Sequence, residues 1–214
     1  RIRFRYVFPG PLKLGADDTV RVELVRGVWI AEQEISQAQW IEIMRGVWSS
    51  NNPSHKKNEE LPVDSVSWSD AQSFLKSFNK ALVRQKVLGK VRLPMANEWR
   101  YLAYSAGAGA VTVDAKIAQM PTAERVVVLA LTSGEPHPTS TAPIDAWGLR
   151  DVFGNVREWC QDRPADQESL CQVIGWSWKA PYGPEQSPTA TPVKPDLRED
   201  DLGIRLAIDD LPRE

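Results

Sequence analysis

Tryptophan is the residue that most limits what this chain can fold into. The chain has nine Trp, together with 16 Pro and 13 Gly, and it lacks long stretches of helical periodicity. Short irregular elements leave space that large buried rings can fill. The composition therefore favours a compact domain whose loops are fixed by buried aromatic side chains. For four Trp residues next to predicted turns and helix starts, packing is favoured over stacking on a ligand: Trp68, Trp99, Trp147 and Trp159.

Length and charge exclude several classes of protein. A chain of 214 residues forms one large domain or two small ones, and without an internal repeat or a long linker a single domain over residues 1–214 is predicted. Lys and Arg total 26 against 28 Asp and Glu, so no overall basic field attracts nucleic acid. No apolar run approaches the ~18–20 residues that cross a bilayer, and no membrane insertion is expected. The first residues lack the apolar stretch of a signal peptide, which favours a cytoplasmic location.

Three helices are predicted from capping signals and apolar periodicity. Ser36 and Gln39 have the spacing of a capping box and precede an apolar face formed by Trp40, Ile41 and Met44. Ser69 and Gln72 repeat that spacing at the second helix, whose apolar face comprises Ala71, Phe74, Leu75, Phe78 and Leu82. A short third helix is expected around residues 98–104.

Strands are predicted in the remaining ordered segments. The first lies within residues 1–14, where Pro9-Gly10-Pro11 marks a turn between two strands. Further strands are expected within residues 20–30, 126–131, 173–178 and 203–208. Asp70 and Arg92 are expected to form an ion pair that ties the second helix to the following loop.

Four sequence blocks follow one another along the chain: PVDSVSWSDA from Pro62, RLPMANEWRY from Arg92, WGLRDVFGNVREWC from Trp147, and GWSW from Gly175 followed by DDLGIRLA from Asp200. Together they resemble the formylglycine-generating enzyme family, also called the sulfatase-modifying factor family. With FPGPLKLG from Phe8, the resemblance covers almost the whole chain. It implies an α+β fold, a single C-type-lectin-like domain with short strands and two to three helices.

The resemblance also implies a structural calcium site. The family's Gly-Asn-Val-x-Glu-Trp segment contributes to such a site, and the matching ligands here are Asn155 and Glu158, with the Val156 carbonyl as a third. Hard oxygen ligands of this kind suit Ca²⁺. The alternative is that Asn155 forms a turn and Glu158 caps a neighbouring amide. Arg157 stands where the family commonly has Trp and favours this alternative slightly.

The copper site of the family has no counterpart at the matching positions. Enzymes of the family oxidise a substrate cysteine with copper held by two cysteines that lie downstream of the Gly-Trp-Ser-Trp segment. Residues 179–188 of this chain contain no Cys, so no copper is expected. Cys160 and Cys171 both precede that segment. They are expected first as free, partly buried thiols, second as a disulfide, and last as a relocated metal pair.

Histidine content excludes another activity found in the same superfamily. The iron-dependent sulfoxide synthases use a three-histidine iron site, whereas this chain has only His55 and His137. A zinc site of three histidines is excluded on the same count. The third helix also departs from the family pattern, because Met95 replaces the usual Thr cap while Glu98 remains, a loss of about 1 kcal/mol.

Two functions from different classes follow. The first is a non-catalytic binding or scaffolding domain, with a ligand surface around residues 176–195 and Trp176, Trp178 and Tyr182 as anchors, since Trp and Tyr dominate many interfaces. Its ligand would be a protein, a peptide or a glycan. The second is a copper-dependent oxidoreductase of the formylglycine-generating type with an altered active site. A third interpretation is an accessory module of a larger polypeptide.

Overall fold

Short strands gathered in three sheets make up much of the regular structure. The computed structural model describes residues 1–14, 20–47, 51–105, 134–152, 154–179 and 189–209. In this part of the chain there are three helices: α1 (Gln37–Met44), α2 (Trp68–Arg84) and α3 (Ala96–Ser105). The strands are β1 (Phe4–Val7), β2 (Gly10–Leu14), β3 (Val20–Leu24), β4 (Val28–Ala31), β5 (Val91–Arg92), β6 (Arg157–Trp159), β7 (Cys171–Ile174), β8 (Thr191–Val193), β9 (Leu202–Gly203) and β10 (Ala207–Asp209). The predicted α+β class is confirmed.

The sheets bring distant parts of the chain together. The first sheet has the order β1-β4-β10-β5 and is antiparallel, so β1 and β10 lie on either side of β4, with Trp29 opposite both Tyr6 and Ile208. The second sheet is the β2-β3 hairpin. The third has the order β8-β7-β6-β9, with β6 and β9 parallel and the other pairs antiparallel.

Two hydrophobic cores lie on opposite faces of the third sheet. Because side chains alternate along a strand, Trp159 and Val173 join the core built on α1 and α2, while Cys160 and Ile174 join the core that includes α3. Strand β6 therefore separates the two cores. Residues of this strand lie at the centre of the domain.

The predicted strand over 203–208 was wrong in one respect. It is divided between β9 in the third sheet and β10 in the first. The intervening residues Ile204, Arg205 and Leu206 cross between the sheets and are fully buried. The predicted strand over 173–178 continues only to Ile174, because Gly175 leaves the sheet with φ +102°. The segment 126–131 lies outside the described residues.

Local capping signals specify the helices, with one correction. The Ser36–Gln39 capping box of α1 is confirmed. For α2 the box is formed by Ser67 and Asp70 rather than by Ser69 and Gln72, so the helix begins two residues earlier than the latter pair implied. The Asp70 carboxylate accepts from the backbone N–H of Ser67 at 2.9 Å and takes the role that Glu or Gln usually has in a capping box.

The third helix has replaced its lost cap. The Met95 N–H donates to Glu98 Oε2, and the Ala96 N–H donates to Asp162 Oδ1, each at 2.8 Å. Asp162 follows β6 in sequence, so a residue from another element supplies the missing acceptor. Orphaned N–H groups at helix starts need such acceptors.

The expected ion pair between Asp70 and Arg92 was wrong. Arg92 pairs with Glu98 and Asp209, at 2.7 and 2.5 Å, while Asp70 pairs with Arg198 at 2.5 Å. Arg92 lies on β5 beside β10, and this position directs its side chain to the start of α3 and the end of β10. The family block that starts at Arg92 is thus fixed to the C-terminal strand.

We expect Ser67→Ala to lower the free energy of unfolding by about 1 kcal/mol, because it removes the side-chain acceptor for the Asp70 N–H and the partner of the Asp70 carboxylate. The matched control is Ser69→Ala, an exposed position two residues further along in the first turn of the helix, which should change stability by less than about 0.5 kcal/mol. Urea denaturation measures both variants. A larger loss of stability in Ser69→Ala than in Ser67→Ala would instead support the capping box of Ser69 and Gln72 that was predicted from the sequence.

Candidate functional site

A buried polar cluster lies where β6, the crossover between β9 and β10, and the loop after β4 meet. Its members are Glu34, Asp151, Asn155, Glu158 and Arg205, and all are buried. Arg205 Nε donates to Glu158 Oε1 at 2.9 Å, and its two terminal nitrogens donate to main-chain carbonyls of Ala31 and Arg150. The guanidinium is thereby held between the first sheet and the third.

Glu158 has both carboxylate oxygens engaged. Oε1 accepts from Arg205, and Oε2 accepts from the indole N–H of Trp99 at 2.9 Å. Burial raises the pKa of Glu158, whereas Arg205 and the Trp99 hydrogen bond lower it, and burial outweighs them. The carboxylate depends on these two partners because water does not reach it.

Asn155 forms the turn before β6. Its φ of +62° lies in the left-handed region that Asn tolerates better than most residues. Its amide Nδ2 donates to Glu34 Oε2 at 2.8 Å, and its Oδ1 accepts from the His137 N–H at 3.1 Å. Glu34 Oε1 also accepts from the Val156 N–H at 3.2 Å. Glu34 therefore holds the Asn155 turn in place with both of its carboxylate oxygens.

The cluster has more acid than base. Burial and the charge of Asp151 raise the pKa of Glu34 well above its usual range, and Arg205 only partly opposes them. His137 Nε2 lies 3.1 Å from Asp151 Oδ1, a contact that is a salt bridge when the imidazole is protonated. Burial lowers the pKa of His137, but the contact with Asp151 and the negative charge of its carboxylate raise it by more. Arg205 is the one fully buried cation in the cluster.

The oxygen atoms of the predicted calcium ligands are directed at protein groups. The two Glu158 oxygens face Arg205 and Trp99, and the Asn155 oxygen faces a backbone N–H. Calcium requires six to eight oxygen ligands, and within the described ranges no group of three or more His, Cys, Asp and Glu is placed to hold a metal ion. The donor set in this arrangement does not fit Ca²⁺, and calcium binding at Asn155, Val156 and Glu158 stays a prediction.

The predicted anchors of the ligand surface differ in accessibility. Trp176 is 6% exposed and lies against Trp99, with ring centroids 6.1 Å apart. Trp178 is half-buried, donates to the Asp200 carbonyl at 3.3 Å and lies below the Lys179 ammonium. Tyr182 lies outside the described residues. Of the first two, Trp178 offers the larger part of its ring to a ligand.

An open depression lies beside this segment. Its volume is about 690 Å³, and its lining residues come from the end of β8, the loop after it, and β6: Arg157, Val193, Lys194, Asp196, Leu197, Arg198 and Glu199. Arg157 pairs with Glu199 and, at 2.8 Å, with Asp201, which accepts from the Ser177 hydroxyl at 2.5 Å. These hydrogen bonds connect the depression to the Trp178 segment. Apart from Arg157, the depression is lined by residues 193–199, so it overlaps the predicted surface around residues 176–195 at Val193 and Lys194.

The two cysteines are free and buried. Cys160 follows β6 opposite Gln172, so it lies on the face of the third sheet opposite that of Cys171, and the two belong to different cores. Burial raises the pKa of both thiols, that of Cys160 to well above the usual range. Neither thiol is activated, and the sheet between them prevents them from sharing one metal ion.

Three cluster residues were not singled out from the sequence: Glu34, Asp151 and Arg205. Arg205 had a usable signal, because a single Arg stands in the apolar run from Leu202 to Ala207. A charge in such a run indicates a buried cation with nearby carboxylates. Glu34 and Asp151 lie in loops, and nothing in their local sequence indicates burial.

The fold defines an α+β domain of the C-type-lectin-like class. The family model for the sulfatase-modifying factor enzyme 1-like domain matches residues 5–210, and the chain belongs to this family. Among solved structures, Treponema denticola variable protein 1 is similar with a TM-score of 0.73 and 19% identity, over 98% of this chain and 95% of that one. PvdO from Pseudomonas aeruginosa is similar with a TM-score of 0.70 and 17% identity, over 95% and 93%.

A curated relative is also similar in sequence. It is named "Chaperone protein LppX", from Paenibacillus barcinonensis, and is 25% identical over 200 residues, covering 70% of this chain and 69% of its own length. Among the described residues, no helix is both long and apolar enough to cross a bilayer.

Proposed function

We propose that this chain is a non-catalytic binding domain of the sulfatase-modifying factor family. The observation that carries the proposal is the placement of its cysteines. The thiols of Cys160 and Cys171 lie on opposite faces of one sheet with raised pKa values, and residues 179–188 supply no other sulfur. A Cu(I) site needs thiolates that can reach the same ion. The family's oxidation chemistry therefore has no ligand pair in this chain.

The ligand surface of the proposal lies around residues 176–195. Trp178 provides a half-buried ring, and the adjacent depression mixes Lys194 and Arg198 with Asp196 and with the apolar Leu197. A surface with both positive and negative charges around an aromatic side chain suits a polypeptide ligand better than it suits a ligand whose charges all have one sign. A relative named as a chaperone protein supports the same class of ligand. Among protein, peptide and glycan, we favour a protein.

The proposal is tested by affinity capture with the purified full chain as bait. The Trp178→Ala variant is expected to lose most of the captured partner, because interface Trp residues commonly contribute 2 kcal/mol or more to binding, roughly a thirtyfold change. Trp29→Ala is the matched control, since Trp29 is 40% exposed and lies in the other four-stranded sheet. If Trp178→Ala and Trp29→Ala captured the same amount of partner, the binding surface would not include Trp178.

Metal titration of the same protein tests the alternative that it is a copper-dependent oxidoreductase. We expect no stoichiometric Cu(I) binding in competition with a chromogenic chelator, and no aldehyde formation on a cysteine-bearing peptide. Addition of Ca²⁺ is expected to leave the melting temperature of the protein unchanged, because the two carboxylate oxygens of Glu158 already accept hydrogen bonds from Arg205 and Trp99. Copper bound by the wild type and lost in Cys160→Ala and Cys171→Ala would overturn the non-catalytic assignment.

A further inference from the structure

The end of α2 and the turn after it form a projecting corner that is both basic and apolar. Every residue from 83 to 88 is exposed. Val83 is 76% exposed and Leu88 is 82% exposed, and Val87 lies between them in the turn. Five exposed cations surround these three aliphatic side chains: Lys76, Lys80, Arg84, Lys86 and Lys90. We call these eight residues the basic corner.

The cations of the basic corner are not neutralised by the rest of the described chain. Between Asp70 and Glu98 the sequence contains no acidic residue. No carboxylate of the described residues forms an ion pair with any of the five cations, whereas nearby Arg92 is paired with Glu98 and Asp209. A chain with a net charge of −2 therefore concentrates positive charge at one corner.

Helical spacing aligns part of this charge. Lys76, Lys80 and Arg84 follow one another at four-residue intervals and so form one row on α2. The opposite face of the helix is the one that is buried, through Ala71 and Phe74. The row continues into the turn, so the positive surface extends from the helix to the exposed aliphatic residues.

The turn keeps a lysine where the backbone favours glycine. Lys86 has φ +55°, and its N–H donates to the Val83 carbonyl at 3.1 Å, while the Val87 N–H donates to the Leu82 carbonyl at 3.0 Å. This is the hydrogen-bond pattern with which many helices end, and Gly is the residue most often found at the left-handed position. Glycine at residue 86 would remove the conformational strain but also a cation.

We propose that the basic corner docks on an anionic lipid surface. Lipid phosphates would neutralise the five cations, and the side chains of Val83, Val87 and Leu88 would enter the headgroup region. Clusters of four to eight Lys or Arg residues bind anionic bilayers, and apolar side chains at the same place add to the affinity. The chain stays on the surface of the bilayer, and this contact is separate from the ligand surface around residues 176–195.

The chemistry of the corner favours lipid over other polyanions. Nucleic acid would pair with the cations, but the corner has no aromatic side chain on which bases could stack, and the phosphate backbone offers nothing apolar to Leu88. An acidic protein would have to supply a cavity for the exposed Leu88 side chain itself, because the depression lined by Arg157 and residues 193–199 contains no residue of the basic corner. A bilayer interface supplies charge and apolar volume together.

Vesicle sedimentation with the full chain tests the proposal. The probes are vesicles of phosphatidylcholine alone and of phosphatidylcholine mixed with phosphatidylglycerol. Binding is expected only to the mixed vesicles and is expected to fall as salt is added, because salt screens exposed charges. No preference for the anionic vesicles at low salt would overturn the proposal.

Three variants attribute the binding to the corner. Lys80→Ala should weaken partitioning about fivefold, and Leu88→Ser should weaken it about tenfold. Lys86→Gly should also weaken it about fivefold while leaving the melting temperature the same or higher, so its loss of binding cannot come from unfolding. The matched controls, Val25→Ser and Arg26→Ala, change a comparably exposed valine and an exposed cation elsewhere and should bind like the wild type.

Two results would assign the corner to a different partner. Binding to polyglutamate or to a short DNA duplex, lost in Lys80→Ala but unaffected by Leu88→Ser, would show a general polyanion surface and overturn the lipid assignment. Equal loss of vesicle binding in Val25→Ser and Leu88→Ser would show that the lipid contact is not confined to the basic corner, and would overturn its assignment to this corner. Loss in the three corner variants alone would support it.

Discussion

Arg205→Met is expected to destabilise the domain by about 3–5 kcal/mol, because removing one partner leaves a buried ionic site uncompensated. The substitution keeps much of the side-chain volume but removes the guanidinium that, in the described part of the chain, is the only fully buried cation near Glu158, Glu34 and Asp151. It also leaves the main-chain carbonyls of Ala31 and Arg150 without their donors. Domains of this kind are stable by about 5–15 kcal/mol in total, so denaturant unfolding should show a large decrease.

The pH dependence of Arg205→Met distinguishes lost charge from lost packing. Burial already raises the pKa values of Glu34 and Glu158, and loss of the guanidinium should raise them further. A carboxyl whose pKa is higher in the folded state than in the unfolded state disfavours folding above its unfolded pKa, and this penalty disappears as pH falls below it. The deficit should therefore be largest near neutrality and smaller at acidic pH.

Two control variants complete this test. Arg205→Lys keeps the charge but loses some of the hydrogen bonds, and its loss should be smaller than that of Arg205→Met. The double variant Arg205→Met with Glu158→Gln should be less destabilised than the sum of the two single variants, since both charges are then absent. Strict additivity, or wild-type stability of Arg205→Met, would mean that the buried pair does not hold the cluster together.

Features set by neighbouring residues could be predicted from the sequence. The Ser36–Gln39 capping box and the apolar face of α2 follow from spacings of three and four residues, and both are confirmed. The error at α2 was also local, because two overlapping boxes compete and Asp70 closes the earlier one. The order of the four sequence blocks, together with the segment from Phe8, indicated the fold class correctly, and these segments include residues of all three sheets.

Partners that the fold brings together could not be predicted. Arg92 was assigned to Asp70, yet it pairs with Glu98 and with Asp209, which is distant in sequence. The same limit applies to the buried polar cluster, whose members come from loops, from strand β6 and from a crossover. Periodicity describes residues that repeat along an element, and it carries no information about a loop carboxylate such as Glu34 that becomes buried only when two sheets meet.

Averaged composition concealed the basic corner. A net charge of −2 over the whole chain argues against nucleic acid as a partner, but it does not describe the segment between Asp70 and Glu98, which has only positive charges. The same segment contains most of α2, so its charges are what the solvated face of an amphipathic helix would show. Only the exposure of Val83 and Leu88 beside those charges indicates a docking surface.

This chain keeps the framework of its family, whereas the proposed function gives its cysteines no catalytic role. The framework persists, as the match over residues 5–210 and the fold of the three sheets show. Strand β6 keeps Glu158 and Trp159 in the domain centre, with Cys160 packed as an ordinary core residue beyond them. We infer that the buried residues of β6 stabilise the domain, while the surrounding loops bind the ligand. Substitution of Trp159 tests the stabilising role.

Trp159→Ala is expected to cost about 3–5 kcal/mol, the usual range for deleting a large buried ring. Trp159 is fully buried between the third sheet and α2, and its indole N–H donates to the Val66 carbonyl at 2.7 Å. The variant leaves both a cavity and an unpaired carbonyl. Trp159→Phe should recover most of the packing but not the hydrogen bond, for a loss of about 1–2 kcal/mol.

The matched control for this ring deletion is Trp29→Ala, which removes the same atoms from a partly exposed position. Trp29 contacts Tyr6, with ring centroids 5.0 Å apart, and its loss should cost about 1 kcal/mol. Equilibrium unfolding in guanidinium chloride measures all three variants on one scale. Because burial decides the size of the effect, the expected order of stability is Trp29→Ala above Trp159→Phe, and Trp159→Phe above Trp159→Ala. Equal losses for Trp29→Ala and Trp159→Ala would contradict the assignment of strand β6 to the structural centre of the domain.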